Sequence, residues 1–167
     1  MPRSVKVSQL MIDKREWPQF RADTLVRDAI KILRILTEDD KLVHGHSNCL
    51  IMGKGYELVG KVRLIDLLKC VRPMCDEVSQ ACELEGVLQS VKEIMEKFPG
   101  VLEPDDNILH ALDLMMLHGV EVLPVMKSGK LVGLIKLPDI FGKLAALLFD
   151  VSDPDERERL MENHPGS

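Results

Sequence analysis

Aromatic side chains are scarce in this sequence, with one Trp, one Tyr and four Phe in 167 residues. A core built from it must be aliphatic, drawn from Leu, Val, Ile and nine Met. Positive charge is not in excess either. The 22 Lys and Arg stand against 27 Asp and Glu, a net charge of −5, so the basic stripe that a nucleic-acid surface needs is missing. Long apolar runs are also missing. LAALLF at Leu144–Phe149 is the strongest candidate and falls far short of the roughly 20 residues of a membrane helix. MPRSVKVSQLM at the start has no apolar central region, so it does not read as a secretion signal. The four cysteines, Cys49, Cys70, Cys75 and Cys82, form no C-x-x-C and lack zinc-ligand spacing. They read as reduced thiols of a cytoplasmic protein, with a disulfide within Cys70–Cys82 as the alternative.

What is present is ordinary for a globular chain, 46% hydrophobic and 29% charged, and long enough for one sizeable domain or two small ones packed together. Its organising feature is a repeat. LVGKVRLIDLL at Leu58–Leu68 returns as LVGLIKLPDIF at Leu131–Phe141, 73 residues later. Upstream, RADTLVRDAIKIL and EPDDNILHALDLM align Ala29 with Ala111, and VSQLM at Val7–Met11 aligns with VKEIM at Val91–Met95. The shift between these offsets places nine extra residues in the first copy, at Glu38–His46. Repeats of this kind define an architecture before any single element does.

Each copy reads as helix, strand, helix, strand, strand, helix. In the first, Val7–Met11 is a short helix with Ser8 as a cap, Asp13–Trp17 is irregular, and Gln19–Arg21 is a strand. Asp23 or Thr24 starts a helix whose apolar positions Val26, Ala29, Ile30 and Leu33 follow helical spacing, with Ile32, Ile35 and Leu36 widening the buried face. Cys49–Met52 and Leu58–Val62 form a hairpin about Gly53-Lys54-Gly55, and Ile65–Val71 is a helix. In the second copy Val87–Lys97 is helical, Val101–Glu103 is a strand, and Asp105 and Asp106 cap a helix ended by Gly119. Glu121–Met126 and Leu131–Ile135 pair about Gly129, and a last helix opens with Pro138 as its first residue and runs to about Phe149. The boundaries that follow are 1–78 for repeat 1 with its N-terminal helix and the start of the acidic connector 74–86, 79–150 for repeat 2, and 151–167 for a frayed charged tail.

The order V-x-x-x-M, strand, D-x-x-x-x-x-A on a helix, then a hairpin ending L-V-G-x-x-x-x-x-D resembles the CBS domain, and two in tandem resemble a Bateman module. The resemblance covers about residues 5 to 149. Leu123-Pro124-Val125 matches the family's strand in the second copy, while Leu50-Ile51-Met52 lacks the Pro. It implies an α+β fold of two pseudo-symmetric CBS repeats, each a small sheet with helices packed on one side, and a regulatory sensor rather than an enzyme. It implies that a cleft between the repeats takes an adenine-containing ligand such as AMP, ADP, ATP or S-adenosylmethionine, and that the module signals to a regulated protein in trans. It also implies a homodimer, with the helices Ile65–Val71 and Pro138–Phe149 as the contact surface. The family's site motif, G-x-x-[Thr/Ser]-x-x-Asp, is met by Gly60 and Asp66 and by Gly133 and Asp139. The hydroxyl position is instead Arg63 and Lys136. Phe20, Leu102 and Pro124 complete the ligand-binding set that the resemblance implies.

The residues themselves leave alternatives open. Asp66 and Asp139 suit a ribose diol, because an ionised carboxylate accepts strong hydrogen bonds. They also suit the first turn of a helix, where negative charge is worth about 0.3–1 kcal/mol. Arg63 and Lys136 can hold a phosphate, pair with the nearby Asp and block the cleft, or stand as solvated strand-end charges. The missing hydroxyls favour a more highly phosphorylated ligand than AMP, or a ligand-free dimerisation scaffold. His44 and His46 beside Glu38, Asp39 and Asp40 offer imidazole and carboxylate to a metal, or are a polar loop. His110 and His118 have no neighbour to complete a site. No nucleophile elbow, P-loop or dinucleotide fingerprint is present, so no activated nucleophile can be named.

Overall fold

A computed structural model describes residues 4–38, 48–71, 88–164 and 166. Its elements are β1 (Ile12–Asp13), β2 (Gln19–Arg21), α1 (Val26–Glu38), β3 (Asn48–Met52), β4 (Leu58–Arg63), α2 (Leu64–Lys69), α3 (Val91–Ile94), α4 (Ile108–His118), β5 (Val122–Lys127), β6 (Lys130–Lys136), α5 (Leu137–Leu148) and α6 (Pro154–Glu162). Single 3-10 turns occupy Val7–Gln9 and Lys14–Glu16. The strands form two three-stranded sheets, β2-β3-β4 and β1-β6-β5. In the first, β2 runs parallel to β3 and β3 antiparallel to β4; in the second both pairings are antiparallel. The expected α+β class with a small sheet per repeat is therefore what the chain adopts. The boundary at 78/79, the insert after Glu38, the acidic connector, Cys75, Cys82 and His44 with His46 lie outside the described residues.

Two repeats related by a pseudo-twofold axis should make the same bonds with their roles exchanged, and they do. The Val7 N–H donates to the Asp106 carbonyl at 2.8 Å, and the Val91 N–H to the Thr24 carbonyl at 2.8 Å. Isolated bridges join Lys6 to Asn107 and Ser90 to Leu25. Each leading segment thus crosses to the other end of the chain. Val5 and Val7 are buried with Leu102, Ile108, Ala111, Leu123, Val125 and Ile140, whereas Val91 is buried with Phe20, Val26, Ala29, Ile51, Val62 and Leu67. A third cluster, with Trp17, Leu50, Val122 and Leu134, joins the two sheets.

The same crossing explains several departures from the sequence reading. The helix expected over Val87–Lys97 shrinks to α3, because Glu96 turns into strand geometry and exchanges two backbone hydrogen bonds with Lys61, at 2.8 and 2.9 Å. Ser8 lies inside its turn and caps nothing; Lys6 holds the cap position. Asp13, expected in an irregular stretch, ends β1. α1 starts at Val26 rather than at Asp23 or Thr24, since Leu25 is held by Ser90 and the Thr24 carbonyl by Val91. Val26, Ala29 and Leu33 are buried and the expected Ile30 and Leu36 pack partly buried against the same core; Ile32 and Ile35 are exposed.

Local chemistry accounts for the rest. Asn107, not Asp105 or Asp106, caps α4 by accepting from the Leu109 N–H at 2.9 Å, while Asp106 closes the preceding turn by accepting from the Glu103 N–H at 2.8 Å. Gly119 ends α4 in the left-handed region at φ 64°, as its position predicts. Pro138 is the second residue of α5, after Leu137. In the first hairpin the left-handed residue is Tyr56, at φ 61°, rather than either flanking glycine. Most of the expected frayed tail is α6, where Asp153 accepts from the Asp155 N–H at 3.1 Å and Pro154 opens the first turn.

Candidate ligand cleft

Both motif carboxylates sit where a sheet strand hands over to a helix, Asp66 in the first turn of α2 and Asp139 in the first turn of α5. The preceding glycines are dictated by close approach. A methyl at Gly60 would lie 2.8 Å from the Glu96 carbonyl oxygen and 2.9 Å from the Met95 sulfur. One at Gly133 would lie 2.6 Å from the Ile12 carbonyl oxygen and 3.3 Å from the Met11 sulfur. The V-x-x-x-M and L-V-G motifs are therefore two sides of one contact, made across the pseudo-twofold axis.

Beyond that shared frame the two copies differ. In the first, Arg63 grips Asp66. The Arg63 Nε and Nη2 donate to the two carboxylate oxygens at 3.1 and 3.0 Å, and the Arg63 N–H donates at 3.0 Å. Burial works to raise the Asp66 pKa, but the Arg63 hydrogen bonds and charge outweigh it and hold the carboxyl below its ordinary value. The carboxylate that would meet a ribose is already occupied. Beside it Lys61, 8% exposed, lies over the Phe98 ring at 5.2 Å. Burial lowers its pKa, against the opposing pull of Glu96.

In the second copy the fork does not form. Lys136 makes no ion pair or side-chain hydrogen bond among the described residues. Asp139 Oδ2 is buried and has no hydrogen-bond partner among the described residues. Lys136 and Asp139 line a cleft of about 670 Å³. Its opposite wall is the crossing segment, from Gln9 to Asp13 with Glu16, so both ends of the chain build it. Its volume falls within the range of about 300–1,000 Å³ typical of small-ligand sites. A carboxylate oxygen without a donor, a free ammonium and a concave wall are what a hydroxyl-bearing, negatively charged ligand requires.

The remaining sequence candidates are placed elsewhere. Phe20 and Leu102 are buried within the two repeat cores. Pro124, in β5, is tied to Leu102 through its carbonyl, which accepts the Leu102 N–H at 2.9 Å. None of the three side chains lines the cleft of Lys136 and Asp139. Sequence reasoning missed the crossing segment as a cleft wall, although its repetition at Val91–Met95 marked it as part of the unit.

Residues 91–146 match the family model of the CBS domain. The rest of the chain shares its fold with solved CBS-domain proteins. A CBS-domain protein of unknown function from Bacillus anthracis superposes with a TM-score of 0.64 at 19% identity, over 85% of this chain and 94% of that one. The chain folds as a tandem CBS module. A second similar structure is CBSX2 in complex with AMP, with a TM-score of 0.61 at 22% identity over 85% of this chain and 97% of that one. A third is the cytosolic domain of the Mg2+ channel MgtE in complex with ATP, with a TM-score of 0.61 at 22% identity, over 83% of this chain and 48% of that one. No curated protein matches the module by sequence. No helix among the described residues is long and apolar enough to cross a membrane.

Proposed function

We propose that this CBS module is a regulatory sensor that takes an adenine-containing ligand, such as AMP, ADP, ATP or S-adenosylmethionine, in the cleft of Lys136 and Asp139. The observation that carries the reading is a cleft lined by Asp139, whose buried Oδ2 has no donor among the described residues, and by Lys136, which is unpaired among them. A ribose diol would supply the donors and Lys136 the charge for a phosphate. Two neighbours of the same fold were solved with AMP and ATP, which supports the ligand class. The first-copy site is closed by its own Arg63–Asp66 pair in the absence of ligand. A ligand entering there must displace the guanidinium, so the second cleft fills first.

The output runs in trans to a regulated protein, and the module works as a homodimer in the cytoplasm. Exposed Ile65 and Leu68 on α2 and Phe141, Leu147 and Leu148 on α5 support the dimer surface. Cys49 and Cys70 are free thiols, which suits a reducing compartment. Ligand binding changes the output only through different affinity for two arrangements of the repeats.

A second reading has one observation in its favour. The saturated Arg63–Asp66 pair needs no ligand, as expected of a scaffold module with degenerate clefts. A thermal-shift titration with AMP, ADP, ATP and S-adenosylmethionine separates the two. Ligand at 100 times Kd adds about 2.7 kcal/mol to the native state. The sensor reading expects a shift that Asp139→Ala abolishes and that Lys136→Ala weakens more for ATP than for AMP. No shift at millimolar ligand overturns it and leaves the scaffold in front.

A further inference from the structure

The far end of the first repeat, at the tip of its hairpin, holds a larger concavity of about 880 Å³. It is separate from the motif cleft and shares no residue with it. Four cations stand around it: Arg21 at the end of β2, Lys54 in the hairpin turn, Lys92 on α3, and Lys97 beyond it. None of the four makes an ion pair or side-chain hydrogen bond with a described residue. Asp23 and Glu57 are the carboxylates of the lining among the described residues, where positive charge is in excess. The wall between the cations is apolar, with Met52, Leu58 and Met95.

The pseudo-twofold axis provides an internal comparison. The corresponding place in the second repeat, between Glu103–Asp105 and Met126–Ser128, encloses about 260 Å³. At the equivalent positions Arg21 corresponds to Glu103, Lys54 to Ser128, Lys92 to Ser8 and Lys97 to Asp13, and the notch has one lysine of its own, Lys127, where the first copy has Gly53. One of the carboxylates there is already paired, Asp105 with Lys6 at 3.4 Å. One backbone frame thus carries a small notch with two carboxylates and one lysine in one copy and, among the described residues, a wide concavity with four cations against two carboxylates in the other. Folding alone gives no reason to gather four unpaired cations, since exposed like charges repel and contribute nothing to the core.

We propose that this concavity is a second binding site of the module, for a small polyanion carrying an oligophosphate chain. Dispersed cations on three separate segments suit several phosphates in a row better than one carboxylate, and the methionine wall suits an apolar or flat body attached to that chain. The site does not rest on the reading of the Asp139 cleft.

Tripolyphosphate is the probe, with citrate as the polycarboxylate comparison, followed through methionine methyl resonances at low salt. Met52 and Met95 line this site and Met11 lines the other cleft, so the spectrum reports which is filled. The expected result is a tripolyphosphate-dependent shift of the Met52 and Met95 methyls, weakening with added salt. Lys92→Ala with Lys97→Ala should weaken it at least tenfold, Lys54→Glu should weaken it on an exposed turn where folding is not at stake, and Asp139→Ala should leave it unchanged. No shift at millimolar tripolyphosphate, a shift confined to Met11, equal binding by both lysine variants, or citrate binding as tightly as tripolyphosphate would each overturn the assignment.

Discussion

Met95 lies against Gly60 as Met11 lies against Gly133, each pair joining a leading segment to the hairpin of the other repeat. The contacts are too close for a side chain on the glycine. At Gly133 the obstacle is the Ile12 backbone, which is locked by pairing with Leu134 and cannot turn aside. At Gly60 the Met95 side chain can yield, but the Glu96 carbonyl cannot. Gly60→Ala and Gly133→Ala should each destabilise the module by about 1–3 kcal/mol, the usual cost of overpacking, with Gly133→Ala the worse. Chemical denaturation of the two variants checks this, and equal stability to wild type would refute it.

The motif carboxylates should respond with opposite sign to the same substitution. Asp66→Ala removes a charge-assisted pair and a backbone contact, worth about 1–2 kcal/mol after allowance for the partial exposure of Arg63. Asp139→Ala removes a buried oxygen that lacks a partner, which costs about 1–3 kcal/mol to keep, against about 0.3–1 kcal/mol of favourable helix-end charge. The ligand-free Asp139→Ala protein should therefore melt at or above wild type, and Asp66→Ala below it. Differential scanning calorimetry of the two side by side is the measurement.

Acid should act through Asp66. Its folded pKa is held below the ordinary 3.8, so its contribution is fully present above that value and is lost as pH falls through the lower folded value. Arg63→Ala removes the cause. The variant's acid unfolding midpoint should move to higher pH, which circular dichroism along a pH series from 6 to 2 would register.

Lys61 is buried at a position where the second copy has Leu134, which is fully buried between the sheets. Its folded pKa lies below 10.5, so the unfolded chain binds the extra proton and stability rises as pH climbs from the folded value toward 10.5. Lys61→Leu should abolish that alkaline gain and raise stability at neutral pH by about 1 kcal/mol, since a charge leaves a mostly apolar site. A stability curve between pH 7 and 10.5 tests both parts.

Thiol reactivity should separate Cys49 from Cys70. Burial pushes the Cys49 thiol up to about 12, so almost no thiolate forms there at pH 8. Cys70 is only partly buried, and burial and Asp66 raise it by less. Alkylation mapped by mass spectrometry should label Cys70 in the native protein and Cys49 only after unfolding.

Much of the architecture was legible because it is local. The Leu58 and Leu131 stretches carry strand alternation and run straight into a helix, and Gly119 stands where a left-handed residue must end α4. What failed was local reading applied to segments held by distant partners. Thr24 has the chemistry of a cap, but its carbonyl belongs to Val91, so α1 starts later. Met95 continues a helical pattern, but Glu96 pairs with Lys61 and the helix ends. Ile32 and Ile35 widen the apolar face of α1 on paper and remain outside the core.

At the site, the sequence supplied an Asp three residues after a cation in both copies, and one pattern could not yield two outcomes. Arginine's planar fork matches a carboxylate bidentately and closes on Asp66, whereas the single ammonium of Lys136 leaves Asp139 open. By itself the sequence determined the repeat, its α+β elements and the motif positions, because periodicity, turns and glycines act within a few residues. The tertiary structure decided which core receives Val7 and which receives Val91, which carboxylate stays free, and where the unpaired cations gather. Those depend on closure about the pseudo-twofold axis: both leading segments carry the same V-x-x-x-M pattern, and only the packed pair of repeats assigns each to its partner.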